Sequence, residues 1–354
     1  MPSYSTTHLL DLAPADARDR LASWCREAGL PGYRAGQLHR RLWVAPGGAW
    51  RDATELPLAL RDQLERELPL PRLALQTRQH SRDGTVKYLW RLPDQEAIES
   101  VLIPSGSRRT LCISSQVGCA LGCVFCATGR MGFRRNLAAW EITAQVRELA
   151  LEAPGLKPTN IVFMGMGEPL LNWPAVNTAL SILNQPDGFG IGARHITVST
   201  VGIVPALEEL ARRPEQFRLA LSLHGTTSAS RRRLMPVERK YDLEAVLGAA
   251  KAFTRRVTFE YVMIAGANDT DADASRLASL ARKLGAMVNL LPLHPGGDPQ
   301  LEPTPASRIR EFAGQLRARG IEAVVRRSRG LDIDAACGQL YLKLERKRRP
   351  APAR

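Results

Sequence analysis

The sequence predicts an α/β fold built around a barrel-like parallel sheet, and three observations predict it. From residue 110 onward, apolar β segments and helical segments alternate six times. Six β-α units in a row imply parallel strands joined by right-handed crossovers. The β segments are rich in Val, Ile and Leu, as strands buried on both faces are. Unusual polar residues gather at the carboxyl ends of those same segments, the edge at which barrel-like folds build their sites.

Taken in order, residues 1–72 read as a small helical domain. LLDLAPADARDRLASWCREAG carries apolar positions at helical spacing and stops at Gly29, and 34–44 and 56–68 continue in the same style. Such a module is either a packing appendage or a nucleic-acid contact, and the residues leave both open. Residues 73–104 form a short β extension. LALQTRQ and TVKYLWRL flank Ser81-Arg82-Asp83-Gly84, a hairpin signal, and AIESVLIP adds a third strand. The core spans 105–338. Its strands are TLCISSQ, NIVFMGM, HITVST, LALSLH, VTFEYVMI and MVNLLPL, and its helices cover 138–152, 173–184, 203–212, 242–253, 271–284 and 305–319. No GxGxxG follows the first strand and no P-loop is present. Residues 339–354 make a basic, Pro-containing tail.

Composition narrows the function. With 44% hydrophobic and 24% charged residues, the 354-residue chain is too apolar for disorder and too mixed for a membrane protein. No apolar run approaches the roughly 20 residues that span a bilayer. MPSYSTTHLLDLAPADARDR lacks a basic segment followed by an apolar one, so no secretory signal is expected and the protein is expected in the cytoplasm. Lys and Arg total 49 against 35 Asp and Glu, a net charge of +14. A surplus of that size points to a polyanionic partner such as RNA or DNA, although an Arg-rich composition also follows from a GC-rich genome.

Six cysteines are present: Cys25, Cys112, Cys119, Cys123, Cys126 and Cys337. Three of them sit in GCALGCVFCATGR with C-x3-C-x2-C spacing. In a reducing compartment such a cluster reads as a metal site. A zinc ribbon would use two separated C-x2-C pairs, and no second pair exists. A ferredoxin-type loop brings four cysteines. Three thiolates on one compact loop can hold three irons of a [4Fe–4S] cube and leave the fourth open to the amino and carboxylate groups of S-adenosylmethionine (SAM). An electron passed into the sulfonium then cleaves a C–S bond and releases a 5′-deoxyadenosyl radical. The remaining polar residues follow strand by strand: Gly167-Glu168-Pro169 after the second, Ser199 at the end of the third, Ser222 and His224 at the end of the fourth, and Asn289 in the sixth.

The stretch TLCISSQVGCALGCVFCATGRMGFRRNL, with MGMGEPL, ITVSTVG, LALSLHG, VNLLPL and IDAACGQL, closely resembles the radical-SAM RNA methyltransferases of the RlmN/Cfr family. The likeness runs in order and at compatible spacing from about Asp83 to Leu340. It implies a partial (β/α)6 TIM-like radical-SAM barrel, with Cys119, Cys123 and Cys126 on the [4Fe–4S] cluster. It implies that Gly167, Glu168, Ser199, Ser222, Leu223, His224 and Asn289 contact SAM. Cys337 matches the position that receives a methyl group from a first SAM. Cys112 matches the thiol that resolves the protein–RNA adduct, forming a transient disulfide with Cys337. Glu99 matches the proton acceptor. The implied reaction methylates an adenosine ring carbon, C2 rather than C8, in 23S rRNA, with the tRNA adenosine 3′ of the anticodon as a further candidate. An electron donor such as flavodoxin or ferredoxin is implied, and a monomer is the default. Cys25 matches nothing in this machinery and is left as a helix-packing residue.

Arginine runs offer RNA contacts: Arg130, Arg134 and Arg135 after the cysteine loop, Arg231 to Arg233 after the fourth strand, and Arg326, Arg327 and Arg329 before Cys337. The target base has to be unstacked to reach a barrel interior. Val201 and His294 depart from the family pattern, where a small residue and an Asn are common. Three alternatives remain: the C8-methylating branch, a radical-SAM enzyme that does not act on RNA, and a silent iron–sulfur RNA-binding protein.

Overall fold

Residues 8–340 are described by the computed structural model. The tail predicted over 339–354 lies, after Leu340, outside the described residues. Three helices come first: α1 (Pro14–Glu27), α2 (Tyr33–Arg40) and α3 (Leu58–Glu67). The β extension follows as β1 (Ala74–His80), β2 (Val86–Arg91) and β3 (Ala97–Ser105). Then come β4 (Arg108–Cys112), β5 (Gln116–Gly118), α4 (Ala127–Arg130), β6 (Phe133–Asn136), α5 (Ala139–Glu152), β7 (Asn160–Phe163) and α6 (Trp173–Asn184). The chain continues through β8 (Ile196–Thr200), α7 (Val204–Arg212), β9 (Arg218–Ser222), α8 (Ser228–Leu234), α9 (Leu243–Ala250) and β10 (Thr258–Met263). It ends with α10 (Asp271–Leu284), β11 (Met287–Pro292), α11 (Ala306–Ala318) and β12 (Ala323–Val325).

One ten-stranded sheet runs β1-β2-β3-β4-β7-β8-β9-β10-β11-β12. Neighbours from β1 to β4 are antiparallel, and every pair from β4 to β12 is parallel. The six predicted core strands are all present, and the six predicted helices fall within a few residues of their expected bounds. A seventh parallel strand, β12, is added. The expected first strand TLCISSQ is shorter than predicted: β4 stops at Cys112, and Gln116–Gly118 pairs instead with β6 in a separate two-stranded ribbon. The break has a physical cause. The Ser114 backbone exchanges two 2.9 Å hydrogen bonds with the Gln145 side chain of α5. Its hydroxyl donates to the Glu99 carbonyl at 2.6 Å and accepts from the Met166 N–H at 2.9 Å.

Local chemistry explains the helix limits. Thr270 and Asp273 form a reciprocal capping box at the start of α10, which ends at Gly285 in the left-handed region. The side chain of Asp242 caps α9 through the Ala245 N–H at 2.9 Å. Helix α5 is buried from Ala139 to Leu149, polar residues included, and segments of the N-terminal region meet it: Arg147 donates to the Gly47 and Gly48 carbonyls. Arg72 grips Glu148 of α5 with bonds of 2.9 and 2.6 Å, and Asp11 accepts from the Trp140 N–H at 3.0 Å. Cys25 is buried on α1 among the helix-packing residues.

Candidate active site

The carboxyl ends of the parallel strands open into one cavity. Its wall includes Cys119, Cys123 and Cys126, then Gly167 and Glu168, then Ser199, Ser222 and His224, and finally Cys337. Strand register sets part of this wall. Ser222 on β9 is paired with Glu260 on β10, and Glu260 with Asn289 on β11, so a hydroxyl, a carboxylate and an amide form one row across three strands. Glu260 faces the cavity; Asn289, expected at SAM, is not among the lining residues and donates instead to Glu260 Oε1 at 3.0 Å. Burial pushes the Glu260 carboxyl up. Sequence reasoning passed over Glu260, although a lone carboxylate inside VTFEYVMI was a visible signal. Leu223 is fully buried and does not line the cavity; only its backbone faces the site's strands, through a 3.0 Å bond to the Glu260 carbonyl.

The cysteine loop is held by main-chain bonds from three sides. Cys119 N–H donates to the Gly132 carbonyl at 3.0 Å, Val124 N–H to Leu234 at 3.1 Å, and Ala127 N–H to Gly338 at 2.8 Å. The last of these fixes the loop beside Cys337. Burial raises all three thiols, Cys119 to about 12; like-charge repulsion from Cys126 adds to the rise of Cys119 and Cys123, and repulsion from Cys337 to that of Cys126. Buried thiols that would repel as thiolates call for a cation among them. Among the described residues no three His, Cys, Asp or Glu side chains converge on a single metal ion. Three thiols of one loop in a single cavity lining suit a multi-iron cluster, in which each iron takes one thiolate.

Gly167 sits at φ +99, and a Cβ there would lie 2.6 Å from Gln116 Cβ, so only glycine allows this approach. Glu168 spends each carboxylate oxygen on one backbone N–H: Leu170 at 2.9 Å and Val201 at 3.0 Å. Burial pushes its carboxyl up to about 7, against the lowering effect of bonds from Thr200, Val201 and Leu170. These bonds take three of the carboxylate's four lone-pair sites and leave one for a cationic group in the cavity. His224 has φ +52 and accepts the Val262 N–H at Nδ1, 3.0 Å away. Burial lowers its pKa to about 3, so the ring is neutral and its proton belongs on Nε2.

Cys112 lies at the end of β4, buried, while Cys337 is exposed at the cavity's edge. Burial pushes the Cys112 thiol up to about 12, with the Cys337 charge adding to the rise and Arg326 opposing it. Arg326 was expected at an RNA surface; it turns inward and lines the cavity with Cys337. Glu99 is not brought into this wall. It is buried on β3, with Oε1 3.3 Å from Lys87 Nζ, itself buried.

Of the other expected RNA contacts, one is internal and one is half-buried and paired. Arg231 is fully buried against Glu238 and the Val201 carbonyl. Arg135 is bound to Glu141 and Asp94. Arg130, Arg134, Arg232, Arg233 and Arg327 are exposed. Of the two departures, Val201 acts through its backbone, and His294 Nε2 lies 2.7 Å from the Ser328 hydroxyl.

Comparisons with known proteins agree with this geometry. Residues 113–281 match the radical SAM superfamily. A chain from Gemmatimonas aurantiaca, named "Probable dual-specificity RNA methyltransferase RlmN", is 55% identical, covering 98% of this chain and 96% of that one. The dual-specificity RNA methyltransferase RlmN of Anaeromyxobacter sp. (strain Fw109-5) is 46% identical over 94% of this chain and 92% of its own. A radical SAM methyltransferase from Sphaerobacter thermophilus superposes with a TM-score of 0.88 at 45% identity, covering 94% of this chain and 99% of that one. Near-complete coverage at such identity, over a cavity that joins three loop cysteines to Cys337, makes the chain a member of the RlmN family of radical-SAM RNA methyltransferases.

Proposed function

We propose that the protein methylates C2 of an adenosine in 23S rRNA, and of a tRNA adenosine, by way of a methyl group carried on Cys337. The observation that carries this reading is the cavity itself, which places Cys337 in one lining with Cys119, Cys123 and Cys126. A radical-SAM enzyme that does not act on RNA has no evident need for this fourth cysteine. The cluster on Cys119, Cys123 and Cys126, with the SAM it binds, supplies the one-electron chemistry that a non-nucleophilic amidine carbon requires.

The chain's own groups account for the rest. Glu168 and the Gly167 turn offer a carboxylate and backbone carbonyls to an ammonium group. Ser222 and Glu260 present a hydroxyl and a carboxyl to a hydroxyl-bearing ligand, Asn289 orients Glu260 through its amide, and His224 presents a ring N–H. Cys337 accepts the methyl group. The Cys112 thiolate then attacks the Cys337 sulfur of the protein–RNA adduct. An S–S bond forms as the bond from that sulfur to the transferred carbon breaks, and the carbon takes a proton. A thiol reductant returns the disulfide to two thiols. Glu99 takes the ring proton; to come within hydrogen-bond reach it has to part from Lys87. The exposed Arg130, Arg134, Arg232, Arg233 and Arg327 meet RNA phosphates. A small electron-transfer protein, flavodoxin or ferredoxin, reduces the cluster. The protein works in the cytoplasm as a monomer; no described helix is long and apolar enough to cross a membrane.

Anaerobic protein is incubated with SAM, reductant and unmodified rRNA fragment or tRNA, and the nucleosides are analysed by mass. The expected product is 2-methyladenosine. Finding 8-methyladenosine alone overturns the C2 assignment, and no methylated RNA from cluster-loaded protein overturns the RNA reading.

Cys112 also makes a separate expectation. With its thiol near 12, the resting protein holds roughly a thousandfold less Cys112 thiolate at pH 7.5 than an ordinary cysteine. Iodoacetamide labelling of anaerobic holoprotein is expected to reach Cys337 first. Labelling of Cys112 rises about tenfold per pH unit from 7 to 9, because only the thiolate reacts. A Cys112 rate that is flat across that range contradicts the burial effect.

A further inference from the structure

Two segments 250 residues apart in the chain are bonded to each other beside Cys337. One is the tip of the β1–β2 hairpin, residues 81–85. The other is the loop 329–334 that leads into Cys337. Ser81 Oγ donates to Asp332 Oδ1 at 2.6 Å, and the Arg82 N–H donates to Asp332 Oδ2 at 3.1 Å. In the other direction, the Gly330 N–H donates to Asp83 Oδ2 at 3.1 Å, and Arg329 lies 3.8 Å from the same oxygen. Each segment therefore offers a carboxylate to the other's backbone N–H.

The hairpin side of this contact is set in advance. Asp83 Oδ1 accepts the Thr85 N–H at 2.9 Å inside the turn. Burial would raise its carboxyl, yet bonds from Thr85, Gly330 and Ser81 together bring it down to about 2. The loop side takes left-handed backbone at two positions, the first of which requires glycine. Gly330 has φ +64, and a Cβ there would stand 2.7 Å from Ala335 Cβ and 3.0 Å from Thr85 Cγ2. Asp334 is also in the left-handed region, at φ +50. Such backbone persists only where surrounding contacts over-determine it.

One buried side chain extends the contact into the protein. Lys87 Nζ on β2 donates to the Asp334 carbonyl at 3.3 Å and lies 3.3 Å from Glu99 Oε1. Beyond Cys337, the Gly338 carbonyl accepts the Ala127 N–H from the cysteine loop. Cys337 is thus carried on a loop tied by the hairpin ahead of it and by the cluster loop behind it.

We propose that the hairpin tip is a clamp that positions the Cys337 loop, with Ser81, Asp83 and Lys87 as positioning residues and Asp332 as their counterpart. The functional half of this proposal rests on Cys337 being the methyl carrier; the structural half does not. Through Lys87, the clamp also links the placement of Cys337 to that of Glu99.

The test uses anaerobic holoprotein of full length. Ser81→Ala, Asp332→Ala and the double variant are compared with Ser81→Thr, which keeps the hydroxyl. Three quantities are read: amide hydrogen exchange over 329–338, the rate at which Cys337 gains a methyl group from SAM without RNA, and kcat and KM for RNA. Cluster absorbance serves as the folding check, and Asp83→Asn provides a second, independent release of the loop.

Loss of a charge-assisted bond predicts about tenfold faster exchange and about tenfold slower methyl loading. The double variant is expected to match Asp332→Ala, which already removes both the Ser81 and the Arg82 bonds, Ser81→Thr to keep the parent rates, and kcat to fall with KM unchanged. Unchanged exchange in both Asp332→Ala and Asp83→Asn overturns the clamp. Faster exchange with unaltered methyl loading overturns its positioning role. If wild-type Cys337 never gains a methyl group, the carrier reading fails, while the exchange data still decide the clamp.

Discussion

Replacing Cys337 with alanine is expected to leave the cluster's absorbance intact and to remove RNA methylation. The two outcomes separate because of how the loop is held. Cys337 is exposed, and its loop is joined to the cysteine loop through the Gly338 carbonyl, a backbone group that alanine at 337 does not disturb. A surface truncation of this kind changes stability by about 0.5 kcal/mol or less. The chemical consequence is much larger. Under the proposed reading Cys119, Cys123 and Cys126 would hold iron and Cys112 is buried, so without a sulfur at this position the cavity has no free thiol to carry the methyl group. Removal of a covalent nucleophile costs at least about 10⁴-fold in turnover. Nucleoside mass analysis after anaerobic reaction reads the loss, and the absorbance of the same sample shows that the cluster remains. An unchanged yield of methylated adenosine removes the carrier mechanism.

Much of this site was legible in the residues because its information is local. C-x3-C-x2-C, GEP and SLHG are short, and each sits where a strand ends. The predicted parallel order then brings them to one edge. What was not legible depends on contacts between distant segments. The split after Cys112 follows from Ser114 meeting Gln145, 31 residues later. Strand β12 has only three residues, too few for a periodic signal. The bonds between Ser81 and Asp332 join segments whose relation no window of sequence contains. Glu99 matched a family position, but its burial against Lys87, outside the cavity's lining, is a tertiary fact. Glu260 is different: a carboxylate in an otherwise apolar strand stood in plain sight and was passed over.

The arginine run 231–233 shows the same limit and yields a sharp test. Three consecutive arginines read as one basic patch, but successive residues of a helix point about 100° apart. Helix α8 turns Arg231 inward, with no exposed side-chain surface, while Arg232 and Arg233 face solvent. Arg231 donates to Glu238 and to the Val201 carbonyl, and Glu238 in turn accepts the Leu243 N–H at 2.9 Å. Removing one member of a buried pair leaves the other charge without its partner, at a cost of about 3–5 kcal/mol. That is a large part of the roughly 5–15 kcal/mol that holds a typical domain together. Arg231→Ala is therefore expected to unfold at markedly lower temperature or denaturant concentration. Arg232→Ala and Arg233→Ala stay within about 0.5 kcal/mol of the parent in stability. For RNA binding the order reverses. Each exposed arginine that meets a phosphate lowers the slope of log affinity against log salt by about 1 when removed. Arg231→Ala, measured under conditions where it is folded, keeps the parent's slope. Equal stability in all three variants contradicts the buried pair, and a salt slope reduced only in Arg231→Ala restores the surface reading of that residue.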